Sequence, residues 1–256
     1  MRALVSFMKK EWLYQLRSSK LVSIGIIFVM LGMLSPAIAK LTPDLLELLT
    51  ETQGSSSMTI TVGEVTALDS WVQFFKNIPM GLIAFILIES SIFTKEYESG
   101  TLVLALTKGL DRYKVVLSKA VTMIFLWTIG YFVCFGITYV YSAYFWDNSI
   151  AENLMFSVVI WWLFGLLAIS LSVLFSTLSK NNIGVLIGTG GVILASCFVG
   201  MFPKVDNLMP TMLMDGNSLI FGLKECSDYT TAIAITIAIC IISLIVSVPI
   251  FNKKHI

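Results

Sequence analysis

The chain has 256 residues, of which 57% are hydrophobic and 13% charged. A soluble domain carries about 25% charge, so too few polar side chains remain to solvate a water-facing surface; a soluble globule, a disordered chain and a fibrous repeat are all excluded. Its net charge of +1 gives no case for nucleic acid, which leaves an integral membrane protein.

Residues 1–20 read as a separate element. At 100° per residue Leu4, Val5, Met8, Trp12 and Leu16 share one face, and Arg2, Lys9, Lys10, Arg17 and Lys20 the neighbouring arc. This pattern predicts an amphipathic helix in the headgroup plane, either as an orientation signal or as an elbow helix that braces a bundle.

Six runs are long and apolar enough to span the hydrocarbon core: about 21–39, 77–94, 120–146, 154–178, 183–203 and 229–251. The first could also be a signal-peptide core, with Ala37-Ile38-Ala39 as its cleavage site. The long basic segment before it and its full span length favour a retained span. The expected fold is all-α: a polytopic membrane protein with six transmembrane helices in one transmembrane domain, 1–256.

Six crossings bring both termini to one side. That side holds Arg2, Lys9, Lys10, Arg17, Lys20, Lys95, Lys108, Arg112, Lys114, Lys119, Lys180, Lys253 and Lys254, against Lys40, Lys76, Lys204 and Lys224 on the other. The positive-inside rule makes the termini cytoplasmic and the protein a multi-pass protein of the cell membrane.

Two outer segments are long for plain turns. In 41–76, Thr42-Pro43-Asp44 predicts a helix start, Gly54-Ser55-Ser56-Ser57 a break, and Trp71, Phe74 and Phe75 a second amphipathic stretch. Segment 204–228 is apolar in its middle and broken by Pro210 and Gly216. Both fit short re-entrant helices in the outer leaflet, or alternatively surface loops.

Little conventional chemistry is available. Cys134, Cys197, Cys226 and Cys240 have no metal spacing, and the single histidine, His255, rules against a Ser-His hydrolase. There is no Gly-x4-Gly-Lys-Ser/Thr loop to cradle nucleotide phosphates. Glu89 is the one ionisable residue well inside a predicted span. It lies about 7.5 Å of helix from Thr94, so it either snorkels or pairs with a nearby cation, or it serves a transport path. In the third span Trp127, Tyr131, Phe135 and Tyr139 follow helical spacing, a core or lipid-facing stripe or one that lines a transport path. Gly184 and Gly188 form a small-x3-small pair suited to close helix packing, within the chain or between subunits.

The segment 95–119 departs from an ordinary loop. Glu96 and Glu98 precede Gly100-Thr101, the apolar residues Leu102, Val103, Leu104 and Leu106 follow, and Gly109 ends a short helix. A basic stretch through Arg112, Lys114 and Lys119 then enters the third span. A short helix with an acidic start can dock in a partner's groove; equally, its apolar residues can rest on lipid.

The string Lys95-Glu96-Tyr97-Glu98-Ser99-Gly100-Thr101-Leu102, with Arg112-Tyr113-Lys114 and a Lys119-led span, resembles the signature of the type-2 ABC export permeases. The basic N-terminal helix, six spans and broken outer segments match that family over essentially the whole chain. Leu110-Asp111 departs from it, since many relatives carry Pro or Ser before the Arg, and the turn geometry there is open. The resemblance implies a permease subunit without an ATP site of its own, with 96–106 as the coupling helix seated in a cleft of a separate ATPase subunit. Glu96, Glu98, Gly100, Thr101, Leu102, Leu104 and Arg112 become its expected ATPase-coupling residues. It also implies that ATP and Mg²⁺ are bound by the partner ATPase, and that the chain pairs with a second copy or a sister permease. The scarcity of charge in the spans favours an amphipathic or lipid-like cargo, such as a membrane-active peptide. The alternatives are an immunity or sensor subunit that moves no cargo, and a secondary transporter acting alone.

Overall fold

A computed structural model describes residues 2–52, 64–98, 100–102, 107, 111–179, 181–202 and 205–254. The helices are α1 (Arg2–Arg17), α2 (Ser19–Thr52), α3 (Ala67–Glu89), α4 (Ser91–Glu98), α5 (Arg112–Phe145), α6 (Leu154–Leu178), α7 (Asn182–Gly200), α8 (Gly216–Ile220) and α9 (Thr230–Lys253). Short 3₁₀ turns fill the connections at Asn148–Ile150, Asp206–Leu208, Pro210–Met214 and Cys226–Tyr229. No strand occurs among the described residues. Six helical stretches are long and apolar enough to cross a membrane: Ser19–Asp44, Ala67–Glu89, Arg112–Phe145, Leu154–Leu178, Asn182–Gly200 and Cys226–Lys253. The protein is an all-α, polytopic membrane protein.

The first spanning helix is longer than its sequence suggests. Thr42-Pro43-Asp44 does not start a new helix but lies within α2, which runs on to Thr52. A helix in an apolar setting tolerates proline when the freed backbone groups find other partners. Pro36, also inside α2, shows how: it leaves the carbonyl of Gly32 without its helical donor, and the Thr138 hydroxyl of α5 donates to that carbonyl at 3.0 Å. The two backbones meet closely there, since a Cβ on Gly32 would lie 2.8 Å from the Cys134 carbonyl oxygen.

Helix α3 begins at Ala67, so the stretch read as outer and amphipathic is the first part of a span. Its start is set by Asp69, whose carboxylate accepts from the Thr66 backbone N–H at 2.9 Å. Trp71, Phe74 and Phe75 are all buried: Trp71 lies against Phe135 of α5 at 5.7 Å and Phe74 edge-on to Tyr131 of α5 at 6.1 Å, while the Phe75 ring packs on Gly216 of α8. Helix α3 ends at Glu89, and α4 follows as a separate helix after Ser90.

Helix α6 is the centre of the bundle, with 67% of its spanning window buried; α2, α3, α5, α7 and α9 surround it or one another. The core is aromatic where α2, α3, α5 and α6 converge. Trp127 lies edge-on to Phe28 and Phe85, both at 5.7 Å, and a Cβ on Gly165 would come within 2.2 Å of its ring. At one pole of this bundle α1, α4, the start of α5 and the end of α9 come together, and that terminal pole carries the candidate site.

Candidate functional site

Helix α1 has three faces. The basic residues Lys9, Lys10 and Arg17 are exposed, as are the apolar Val5, Leu13 and Leu16. A third stripe, Phe7, Glu11 and Gln15, repeats every four residues and is buried against the bundle. Two of its three members are polar, and polar groups are buried without large cost only where they find partners.

Glu11 finds them in a closed ring of alternating charge. Lys119 of α5 lies 3.3 Å from Glu11 and 2.9 Å from Glu96 of α4; Lys10 lies 3.4 Å from Glu11 and is hydrogen-bonded to Glu96. Each carboxylate thus touches both ammonium groups, and three helices are joined at one point. Lys119 is 1% exposed and Glu11 2%, and the Lys119 ammonium also donates to the Ile92 carbonyl at 2.9 Å. Burial alone would raise the Glu96 carboxyl, but Lys119 and Lys10 hold it below the ordinary carboxylate value. The two formal positive charges of the ring balance its two negative ones.

A second cluster lies one turn deeper. Glu89, fully buried at the end of α3, accepts from the Gln15 amide at 2.8 Å and lies 4.0 Å from Lys20. Lys20 also donates to Ser91 at 2.9 Å. The break between α1 and α2 at Ser18 and the break between α3 and α4 at Ser90 are therefore pinned to each other. Glu89 is thus fully buried within a pairing network.

The remaining sides of α4 are held as well. Thr94 donates to the Asn182 side-chain oxygen at the start of α7. Tyr97 lies beneath the Lys254 ammonium, 4.3 Å from its ring centre, and burial pushes its hydroxyl well up. Arg112 is engaged at the end of α9. Its guanidinium donates to the carbonyls of Phe251, Asn252 and Lys254 at 2.7, 3.0 and 2.8 Å, capping the C-terminal end of α9 where a cation is favoured.

Gly100 has φ +66°, the left-handed conformation that ends helices, and its N–H donates to the Tyr97 carbonyl at 3.3 Å. Thr101 is exposed and Leu102 buried. Leu104 and the Glu98 side chain lie outside the described residues. Trp127 and Tyr131 are far from this pole: both are wholly buried, donating to the carbonyls of Trp162 at 3.3 Å and Val158 at 2.8 Å. Gly184 packs on Ser179 and Asn181 and Gly188 on Phe175, all within the same chain.

The expected segment thus contributes Glu96 to the site, whereas Lys10, Glu11, Gln15 and Lys119 were not foreseen as its partners. Glu11 had one signal in the sequence, as the single acid among five basic residues in the first 20. Among the described residues no group of His, Cys, Asp or Glu could hold a metal. The arrangement ties three helices to one another.

No curated protein matches the chain. A family model described as an ABC-2 family transporter protein matches residues 5–256. Nearly the whole sequence is covered, and six apolar helices with the segment after the second of them form its architecture. The chain therefore belongs to the ABC-2 transporter family, as a multi-pass membrane subunit of an ABC transporter.

Proposed function

We propose that the chain is the permease subunit of an ATP-driven exporter, with both termini in the cytoplasm and the segment 96–106 seated in a cleft of a separate ATPase subunit. That subunit holds the ATP and Mg²⁺; this chain converts its movement into rearrangement of the spans. The observation that carries the reading is the charge ring. Glu96, at the head of the coupling segment, is tied to α1 and α5 through Lys10 and Lys119, so the segment cannot move without carrying two further helices. The basic excess at the same pole supports a cytoplasmic placement. The cargo in this reading is amphipathic or lipid-like, taken from the inner leaflet, because the spans bring little charge to solvate an ion or a sugar. The functional unit is two permeases, the second a copy of this chain or a sister.

The experiment is charge reversal at Glu98, and separately Gly100→Val, in the reconstituted complex with its ATPase. A Cβ at Gly100 meets nothing within 4 Å, so the valine acts through backbone strain alone, of about 1–2 kcal/mol. Both variants are expected to insert and assemble normally, keep basal ATP hydrolysis and lose most transport per ATP. Unchanged transport per ATP in both removes the role assigned to this segment.

A further inference from the structure

The face of α1 turned away from the ring covers a groove of about 300 Å³ between α1, α2 and α5. Its walls include Trp12 and Leu16 from α1, Gly25 and Phe28 from α2, and Leu126 and Gly130 from α5, and every lining residue is apolar or glycine. Trp12 is fixed as the roof by an edge-on contact with Phe125 at 5.0 Å. On α5 the lining runs from Leu126 to Val133, about 10 Å of helix, and on α2 from Leu21 to Val29, about 12 Å. A slot of this length takes the headgroup-proximal half of a lipid acyl chain lying beside a span.

The charges at its mouth identify the headgroup. Lys10, Lys20 and Lys119 are engaged in the two clusters below α1. Lys9 and Arg17 are exposed and have no ion-pair partner among the described residues. Lys9 lies within about 60° of both Trp12 and Leu16 around the helix, one turn beyond the groove's roof, and Arg17 directly follows Leu16. An apolar slot below two unpartnered cations matches an anionic phospholipid, with its chain in the slot and its phosphate at the lysine and arginine.

The geometry points to a bound anionic phospholipid at this groove, wedging α1 against α5 from the side opposite the charge ring. The lipid supplies the packing that the outer apolar face of α1 lacks, and it thereby holds Lys10 and Glu11 in register with Glu96. This site goes beyond the transport reading and is testable without the ATPase.

Gly25 provides the means of testing it. A Cβ there meets nothing within 4 Å, so Gly25→Leu projects into the groove without displacing the fold. The full-length chain is placed in nanodiscs containing a phosphatidylglycerol or a phosphatidylcholine that carries a photoreactive group on its acyl chain. Peptides spanning 21–29 and 126–133 are then analysed for label. The phosphatidylglycerol probe is expected to label both walls, and Gly25→Leu to remove most of that label. Gly191→Leu, made in open space on α7, is expected to leave it unchanged. Lys9→Gln and Arg17→Gln are each expected to weaken the preference for phosphatidylglycerol about fivefold. Equal labelling by phosphatidylcholine, insensitivity to Gly25→Leu, or crosslinks from the groove to a second copy of the chain would each overturn the proposal.

Discussion

Lys119 is a buried cation with anionic and carbonyl partners. Its ammonium is almost fully removed from water and is held by Glu96, Glu11 and the Ile92 carbonyl at 2.9, 3.3 and 2.9 Å. Removing one partner of such a buried set costs about 3–5 kcal/mol, here because two carboxylates are left to share the single Lys10 ammonium. Lys119→Met is therefore expected to shorten the thermal-inactivation half-life of the detergent-solubilised chain sharply. Adding Glu11→Gln removes one of the two stranded carboxylates, so Glu11→Gln/Lys119→Met should recover part of the loss. If the double variant is no longer-lived than Lys119→Met, the ring is not a coupled unit. The sequence reading had Lys119 as the head of the third span and Glu96 as an acid of the coupling segment, each by its place in the chain. It had no means of pairing Lys119 with Glu11, 108 residues away, because no local period carries that contact. For the same reason the sequence left the partner of Glu89 unnamed, although pairing with a nearby cation was one of its readings: Gln15 and Lys20 reach it only once α1 folds back on the bundle.

At the scale of the element, apolar run length picked out six long helices, but α2 and α3 each extend past a break that the local pattern suggests. Lys76 and Asn77 interrupt the hydropathy of α3, and Pro43 that of α2, so a local reading breaks both helices there. In the fold the Asn77 amide donates to the Ser35 hydroxyl of α2 at 3.2 Å, while Lys76 stays exposed, and α3 continues through both. Tertiary partners, invisible to a window of neighbouring residues, decide such boundaries. Glycine positions are equally a matter of packing. Gly165 lets α6 approach α5 at Trp127, where a Cβ would lie 2.2–2.4 Å from three indole atoms. That ring cannot retreat, since Phe28, Phe85 and Tyr131 enclose it and its N–H is bonded to the Trp162 carbonyl. Gly165→Ala is expected to destabilise by about 1–3 kcal/mol through overpacking. Gly136→Ala, on α5 in open space, is expected to stay within about 0.5 kcal/mol. Thermal denaturation of both variants in the same detergent checks the contrast; equal effects would mean that helix propensity, not the α5–α6 approach, governs these sites.

For the molecule as a whole, the proposed pairing of two permeases asks which surface is free to meet a second subunit. Exposed apolar residues do not answer this, because lipid tails cover them as well as protein does. Backbone accessibility does. The spanning window of α7 is only 11% buried, and its glycines divide between two sides. Gly184 and Gly188, whose spacing had offered a subunit face, are filled from within by Ser179, Asn181 and Phe175. Gly190 lies about 200° around the helix from Gly188, and a Cβ there meets nothing within 4 Å, so a second helix can come close. Cys197 follows Gly190 by two turns on the same side. In a two-fold pair each residue near the axis faces its own copy, so Cys197 should face Cys197. A short bifunctional maleimide applied to native membranes is therefore expected to give a crosslinked dimer that Cys197→Ser abolishes and Cys240→Ser leaves intact. Gly190→Trp should reduce the yield by holding the helices apart. A dimer dependent on Cys240 would move the interface to α9, and a chain that stays monomeric within an intact ATPase complex would make the second subunit a sister permease.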